Sequence, residues 1–279
     1  MDPASSPDWL GASRRAAAGI RRLLEERPTI AERVEETGTR GEGGDRTLVI
    51  DEAAEELIFA ELSELHRAGA RFRAVSEERG AVEFGGDDLL VVVDPIDGSL
   101  NAKRGLPHHA VSIAVAEGPT MADVVFGFVQ DFGPDEEWVA WRGRGASLNG
   151  VALDVSLGER RQRERLEVVG VEMADPRWVV ASADALAGVA YRIRAIGTLA
   201  SAICQVAAAR FDGMVSLRNC RAVDAAAAQL IAREAGGHVA FTRYADPLAA
   251  PLDLEPHSPV VAARTPEGVA ELARVPVAY

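Results

Sequence analysis

The chain has 279 residues, 48% of them hydrophobic and 26% charged, with a formal net charge of −13 at pH 7. That length suits one large domain or two small ones, and the acidic balance disfavours a nucleic-acid groove, which needs clustered Lys and Arg. Two cysteines, Cys204 and Cys220, are too few for a disulfide framework and lack zinc-ligand spacing; apolar runs such as Leu89–Val93 fall far short of the ~20 residues that span a bilayer; and the first ten residues lack the apolar segment of a signal peptide. These features predict a soluble, cytoplasmic protein with neither a nucleic-acid nor a membrane partner. One lysine stands against 29 arginines. Low lysine and high acid fit either GC-rich coding or a haloarchaeal type of high-salt cytoplasm, where carboxylates keep a surface hydrated.

In chain order, Trp9, Leu10, Ala16, Ala17, Ile20, Leu23 and Leu24 recur at helical spacing and predict helix over the first 35 residues, with Pro28 as an interruption. Thr37 to Asp45 carries four glycines in nine residues and predicts a loop. Helix resumes over Asp51–His66. Arg71–Val75 reads as a short strand. Leu89–Val93 reads as a strand buried on both faces, since it is continuous, apolar and β-branched. Strands follow over Val111–Ala116, Val124–Gln130 and Trp138–Trp141, then a tight connection at Gly143–Gly150. The second half alternates. Strands are expected at Trp178–Ala181, Tyr191–Ile196, Gly213–Leu217 and Val260–Ala263. Helices are expected at Ala183–Ala190, Thr198–Ala209, Asp224–Ala235 (stopped by Gly236-Gly237) and Pro266–Ala273. The polar stretch Ser156–Glu167 suggests a division into an N-terminal part, 1–155, and a C-terminal α/β part, 156–279.

The chemistry concentrates in Asp94-Pro-Ile-Asp97-Gly-Ser99-Leu-Asn101. A buried strand delivers two carboxylates at its carboxyl end, where open α/β sheets place their ligands. Gly98 permits close backbone approach, and Ser99 with the following amides makes a helix N-terminus suited to an anion. Carboxylates forced together repel unless a cation lies between them, and hard oxygen donors favour magnesium bridging to phosphate. Taken alone, an Asp-x-x-Asp pair reads more readily as a helix cap and a solvated acidic turn. Glu77-Glu78 at another strand end, Asp224 opening a helix and Asp51 near a helix start each have that same bland reading. Together they point to a site. His108-His109 read as structural, because neighbours on a strand face opposite ways.

These segments resemble the inositol monophosphatase family over nearly the whole chain, most closely its archaeal inositol monophosphatase/fructose-1,6-bisphosphatase branch. Ser76-Glu77-Glu78 resembles the family's first metal motif and Asp94–Asn101 its central one. Gly143-Arg-Gly-Ala-Ser-Leu-Asn149-Gly150 resembles its hairpin end. Val223-Asp224-Ala-Ala-Ala with Glu234-Ala-Gly-Gly237 resembles its C-terminal signature. The resemblance implies a layered α-β-α-β-α sandwich with two sheets and helices between and outside them. It implies two or three Mg²⁺ ions, sensitivity to Li⁺, and commonly a homodimer. It also implies roles: Glu77, Asp94, the Ile96 carbonyl, Asp97 and Asp224 as metal ligands, and Asp45 for a third, weaker metal. Asp51 and Ser99 would orient and deprotonate the attacking water. Gly98 and Ser99 would hold the phosphate, while Asp97, Gly197 and Thr198 line the substrate pocket.

Departures bear on substrate. Where animal members have Trp before the helix-opening Asp, this chain reads Arg221-Ala-Val-Asp224. Where they use a Glu to bind inositol hydroxyls, it has Leu217. Arg194, Arg218 and Arg221 are expected to face the pocket and suit a second phosphate through bidentate pairing. The resulting expectation is a Mg²⁺-dependent phosphomonoester hydrolase acting on fructose 1,6-bisphosphate, inositol 1-phosphate or both. The alternatives are a nucleotide phosphatase of the same fold (adenosine 3′,5′-bisphosphate or NADP) and a non-catalytic regulatory relative.

Overall fold

A computed structural model describes residues 7–40, 42 and 46–277. The apolar periodicity at the start folds as α1 (Trp9–Glu26), followed by the short α2 (Ile30–Arg33), which Thr29 and Glu32 open as a capping box. Residues on either side of the glycine-rich segment pair as β1 (Glu36–Arg40) and β2 (Arg46–Leu48), where the composition predicts only loop. Next, α3 (Val49–Arg67) packs beside α1.

The first sheet then runs in sequence order: β3 (Phe72–Ser76), β4 (Gly80–Asp97), β5 (Ala110–Ala116), β6 (Val124–Asp131), β7 (Glu136–Trp141), β8 (Ala146–Leu148) and β9 (Val151–Ala152). A helix of six residues, α4 (Ser99–Arg104), separates β4 from β5. The second sheet is built from β10 (Arg161–Gln162), β11 (Arg165–Glu172), β12 (Ala190–Arg194), β13 (Gly213–Ser216), β14 (His238–Phe241) and β15 (Val260–Ala263). Its order is β10-β11-β13-β15-β14, with β12 also on β11. Helices α5 (Pro176–Val189), α6 (Leu199–Ala207), α7 (Ala222–Glu234) and α8 (Pro266–Leu272) complete the chain.

Three cores hold these parts as five layers. Helices α1 and α3 cover one face of the first sheet through Trp9, Ile20, Ile58, Phe72 and Phe126. Helices α6 and α7 lie between the sheets, and α5 and α8 cover the outer face of the second through Leu186, Val189 and Leu272. The central position explains the alanines. Ala225–Ala228 are all buried, because a helix with a sheet on each side has no solvent face and approaches both most closely with small side chains. The layered α-β-α-β-α sandwich expected above is the architecture found.

Two local expectations are corrected. Trp178–Ala181 is helix, not strand: Asp175 accepts from the Arg177 amide at 2.8 Å as N-cap, and Pro176 sits in the first turn. Those capping signals outweigh the β-branched pair Val179-Val180. The charged stretch that suggested a boundary also hides the start of β11, whose parallel neighbours β12 and β13 supply the pairing that its local composition did not announce.

Candidate active site

The central motif sits on an irregularity in β4. Asp94 pairs with Ser112 and Asp97 with Ala110, so β4 spends three residues where β5 spends two. On a regular strand, residues three apart face opposite ways. The extra residue of this bulge re-aims Asp97 toward the side of Asp94. The Asp94 carboxylate accepts from the Ile96 amide at 3.1 Å inside the turn. Gly98 then adopts φ +84° as the N-cap of α4. A Cβ there would stand 3.0 Å from the Gly197 carbonyl and 3.1 Å from that of His108, so both conformation and space demand glycine. Ser99 is the first helical residue, half-buried at the rim.

Three further carboxylates come from other elements. Glu77 follows the end of β3, which is anchored where buried Glu55 of α3 accepts from the Ser76 hydroxyl and, at 2.8 Å, from Arg79 Nε. Asp224 lies in the first turn of α7, its carboxylate taking the Arg221 amide at 2.9 Å. Asp51 is buried in the first turn of α3. Asp97 also ties the first sheet to α6 at the site. Its carboxylate accepts from the Thr198 hydroxyl and from the Ala200 amide (2.7 Å) at the start of α6.

The electrostatics are those of a crowded anionic cluster. Burial, opposed by the Arg221 charge and reinforced by Asp224, pushes Glu77 up to about 7. Burial and repulsion from Asp224 push Asp97 up to about 7 against its hydrogen bonds from Thr198 and α6. Asp94 is raised well above the usual carboxylate range by burial, then by Glu77, Asp97 and Asp224. The Arg221 guanidinium lies between two of them, 2.7 Å from Glu77 and 3.3 Å from Asp224. Among the described residues no three His, Cys, Asp or Glu side chains stand in a ready coordination sphere. A side-chain cation instead pairs with two of the carboxylates. Oxygen donors that repel one another and hold a counter-cation fit a hard divalent metal.

Beside this cluster opens a cleft of about 790 Å³ lined by Asp97, Thr198, Arg218, Arg221 and Asp224, among others. Gly197 lines it with φ +82°. Arg218 also lines it, its guanidinium stacked over Trp178 at 4.9 Å. Arg194 does not reach it: it is exposed on β12 and bonds the carbonyl of its neighbour Ile193 at 2.8 Å. An edge strand turned that arginine outward, which sequence position alone did not show. Ile96 is buried in the bulge. Asp45 lies outside the described residues.

Three features went unread in the sequence. Glu172, buried at the end of β11, accepts from the Ile196 and Gly197 amides at 2.9 Å each, and burial pushes it up to about 7 against those bonds. Asn101 donates to the His108 carbonyl (2.8 Å) and to that of Ile196 (2.7 Å), linking the central motif to the same turn. Glu234 accepts from the amides of Gly143 and Gly145 at 2.8 and 2.9 Å. The last two motifs of the resemblance therefore meet as a structural clasp. Asn101 and Glu234 stand inside motifs visible in the sequence, though their partners were not legible there; Glu172 offered only its position at a strand end, and that strand was missed.

The turn at 196–198 is thus held from Glu172, Asn101 and Asp97 at once. A Cβ on Gly197 would come within 2.7 Å of Asn101 Nδ2. The Gly197→Ala variant is expected to lose about 1–3 kcal/mol of stability in chemical unfolding, from strain at positive φ and displacement of Asn101.

The model of the inositol monophosphatase family matches residues 8–275. A fructose-1,6-bisphosphatase/inositol-1-monophosphatase of Methanothermobacter thermautotrophicus is 33% identical over 247 residues, 84% of this chain and 85% of its own length. An inositol-1-monophosphatase of Mesorhizobium japonicum is 36% identical over 202 residues, 70% of this chain and 72% of its own. Among solved structures, the extragenic suppressor protein suhB from Bartonella henselae superposes with a TM-score of 0.76 at 27% identity, covering 95% of this chain and 97% of that one. With fold, motifs and relatives in agreement, the chain belongs to the inositol monophosphatase family, as a phosphoric monoester hydrolase of that Mg²⁺-dependent group.

Proposed function

We propose that the protein hydrolyses a small sugar or polyol phosphate, with fructose 1,6-bisphosphate and inositol 1-phosphate as the leading substrates. The observation that carries this reading is the β4 bulge, which turns Asp97 toward Asp94 beside Glu77 and Asp224 at the mouth of the cleft. Glu77, Asp94, Asp97 and Asp224 would hold Mg²⁺, which when bound offsets phosphate charge and acidifies a water. The chain does the rest by positioning. Amides at Gly98 and Ser99 take phosphate oxygens at the start of α4. Asp51 accepts the proton of the attacking water, and the Ser99 hydroxyl orients it. Thr198 and the α6 amides keep the Asp97 carboxylate aimed while charge shifts at phosphorus.

Arg218 and Arg221 favour a substrate with a second anionic group. The described lining of the cleft contains no Phe, Tyr or Trp on which a nucleotide base would stack, which weighs against the nucleotide reading. The test is phosphate release with Mg²⁺ from fructose 1,6-bisphosphate, inositol 1-phosphate, NADP and adenosine 3′,5′-bisphosphate. Release from one of the first two supports the reading, preference for either nucleotide overturns it, and no release supports the regulatory alternative. Arg218→Ala is expected to raise KM for fructose 1,6-bisphosphate by about tenfold relative to inositol 1-phosphate, the low end for a hydrogen bond to a charged group at an exposed position. Equal KM changes for the two would remove Arg218 from recognition.

A further inference from the structure

His108 was expected on a strand, but it lies just outside one. β5 begins only at Ala110. His108 precedes it at φ +65° and lines the cleft. A left-handed φ on a non-glycine residue persists only where its surroundings fix it, and here they do so at two atoms. The His108 carbonyl accepts from Asn101 Nδ2 at 2.8 Å. Its Nδ1 meets Asp131 Oδ2 at 3.0 Å.

Asp131 is fully buried, and its other oxygen accepts from the Gly133 amide at 3.3 Å. Set against that buried carboxylate, Nδ1 is the ring nitrogen suited to carry the proton, which leaves Nε2 as the acceptor of that tautomer. His108 lines the cleft with 31% of its side chain exposed, and Nε2 is the ring nitrogen not turned to Asp131. The same backbone stands beside Gly98, where a Cβ would be 3.1 Å from the His108 carbonyl. His108 therefore stands at the wall of the cleft, its backbone beside the turn proposed to cradle phosphate.

We propose that His108 is a specificity-determining residue: its Nε2 accepts a hydrogen bond from a hydroxyl of the substrate's sugar or polyol moiety, and Asp131 fixes the tautomer that makes this possible. This rests on the phosphatase reading above and adds to it a contact that distinguishes hydroxyl-bearing esters from simple ones.

The test compares wild type with His108→Asn, using inositol 1-phosphate and p-nitrophenyl phosphate, which has no hydroxyl. Asparagine tolerates a left-handed φ and presents an amide N–H near the place of Nδ1, but has nothing at Nε2. KM for inositol 1-phosphate is expected to rise about three- to tenfold more than KM for p-nitrophenyl phosphate, the range for one hydrogen bond. His108→Gln, whose amide oxygen reaches toward the position of Nε2, is expected to recover part of that ratio. Equal changes in both KM values, or none, would overturn the assignment, the first leaving a structural role. Wild type that cleaves neither ester, nor fructose 1,6-bisphosphate, would instead overturn the phosphatase reading. Calorimetric titration with inositol 1-phosphate then still decides: weaker binding to His108→Asn supports the contact, and equal binding removes it.

Discussion

Replacing Asp94 with asparagine is expected to cut turnover by roughly a thousandfold, because several kcal/mol of charge stabilisation at the phosphoryl centre depends on an intact ligand set. The same substitution is expected to raise the melting temperature of the metal-free protein at pH 8. Asp94 is buried and repelled by Glu77, Asp97 and Asp224, so its ionised form opposes folding when no metal is present. Asparagine keeps an oxygen for the Ile96 amide, which Asp94 now binds at 3.1 Å, and removes the charge. Steady-state assays and calorimetry on the same preparations check both halves. Turnover within tenfold of wild type would remove Asp94 from the metal site. A lower metal-free melting temperature would show that the carboxylate supports the fold in some other way. Opposite signs for activity and stability are the mark of a site whose strain serves function.

The second large effect is a linkage between pH and Mg²⁺. Glu77, Asp97 and Glu172 are pushed up to about 7 in the folded protein and Asp94 is raised as well, whereas carboxyl groups in an unfolded chain titrate near ~4. Between those values the folded state binds more protons than the unfolded one, so stability falls as pH rises through the window. Asp175, held at about 2 by Arg177, titrates below it, and His109, lowered by burial, works in the opposite direction but as one group against four. Metal binding requires ionised ligands and releases these protons, so Mg²⁺ should stabilise more at pH 8 than at pH 5. At a concentration of about 100 times Kd the gain is about 2.7 kcal/mol per site, or roughly 5–10 °C in melting temperature. Differential scanning calorimetry at the two pH values, with and without Mg²⁺, measures this directly. A metal-free melting temperature that rises from pH 5 to 7.5, or an equal Mg²⁺ shift at both ends, would contradict the electrostatic picture.

Much of this protein was legible before its structure. Helical spacing located α1 and α3, and the unbroken apolar run Leu89–Val93 identified a strand buried on both faces. Gly236-Gly237 marked the end of α7. Such signals are local, because a side-chain period of 3.6 or 2 is written wherever one face is buried. Misreadings arose where local signals competed or were silent. Val179-Val180 suggested a strand until the Asp175-Pro176 cap decided for helix, and the charged start of β11 looked like a linker because its partners lie far along the chain.

For the site, the sequence by itself determined which residue types were present: Glu77, Asp94, Asp97 and Asp224 as hard oxygen donors, with Gly98 and Gly197 permitting positive φ. It also determined that, with a single lysine, cationic recognition here rests mainly on arginine. Tertiary structure alone decided their use. The bulge between Asp94 and Asp97 is a mismatch between two strands and has no signature in either one. Arg194, Arg218 and Arg221 look alike in sequence, yet one faces solvent, one stacks on Trp178 at the cleft and one bridges two carboxylates. His108 was expected on a strand, yet it precedes β5 and its ring meets buried Asp131, 23 residues away. Local composition fixes what a residue is able to do chemically. The direction in which it points, and the charge it meets there, depend on strands and helices distant in the chain.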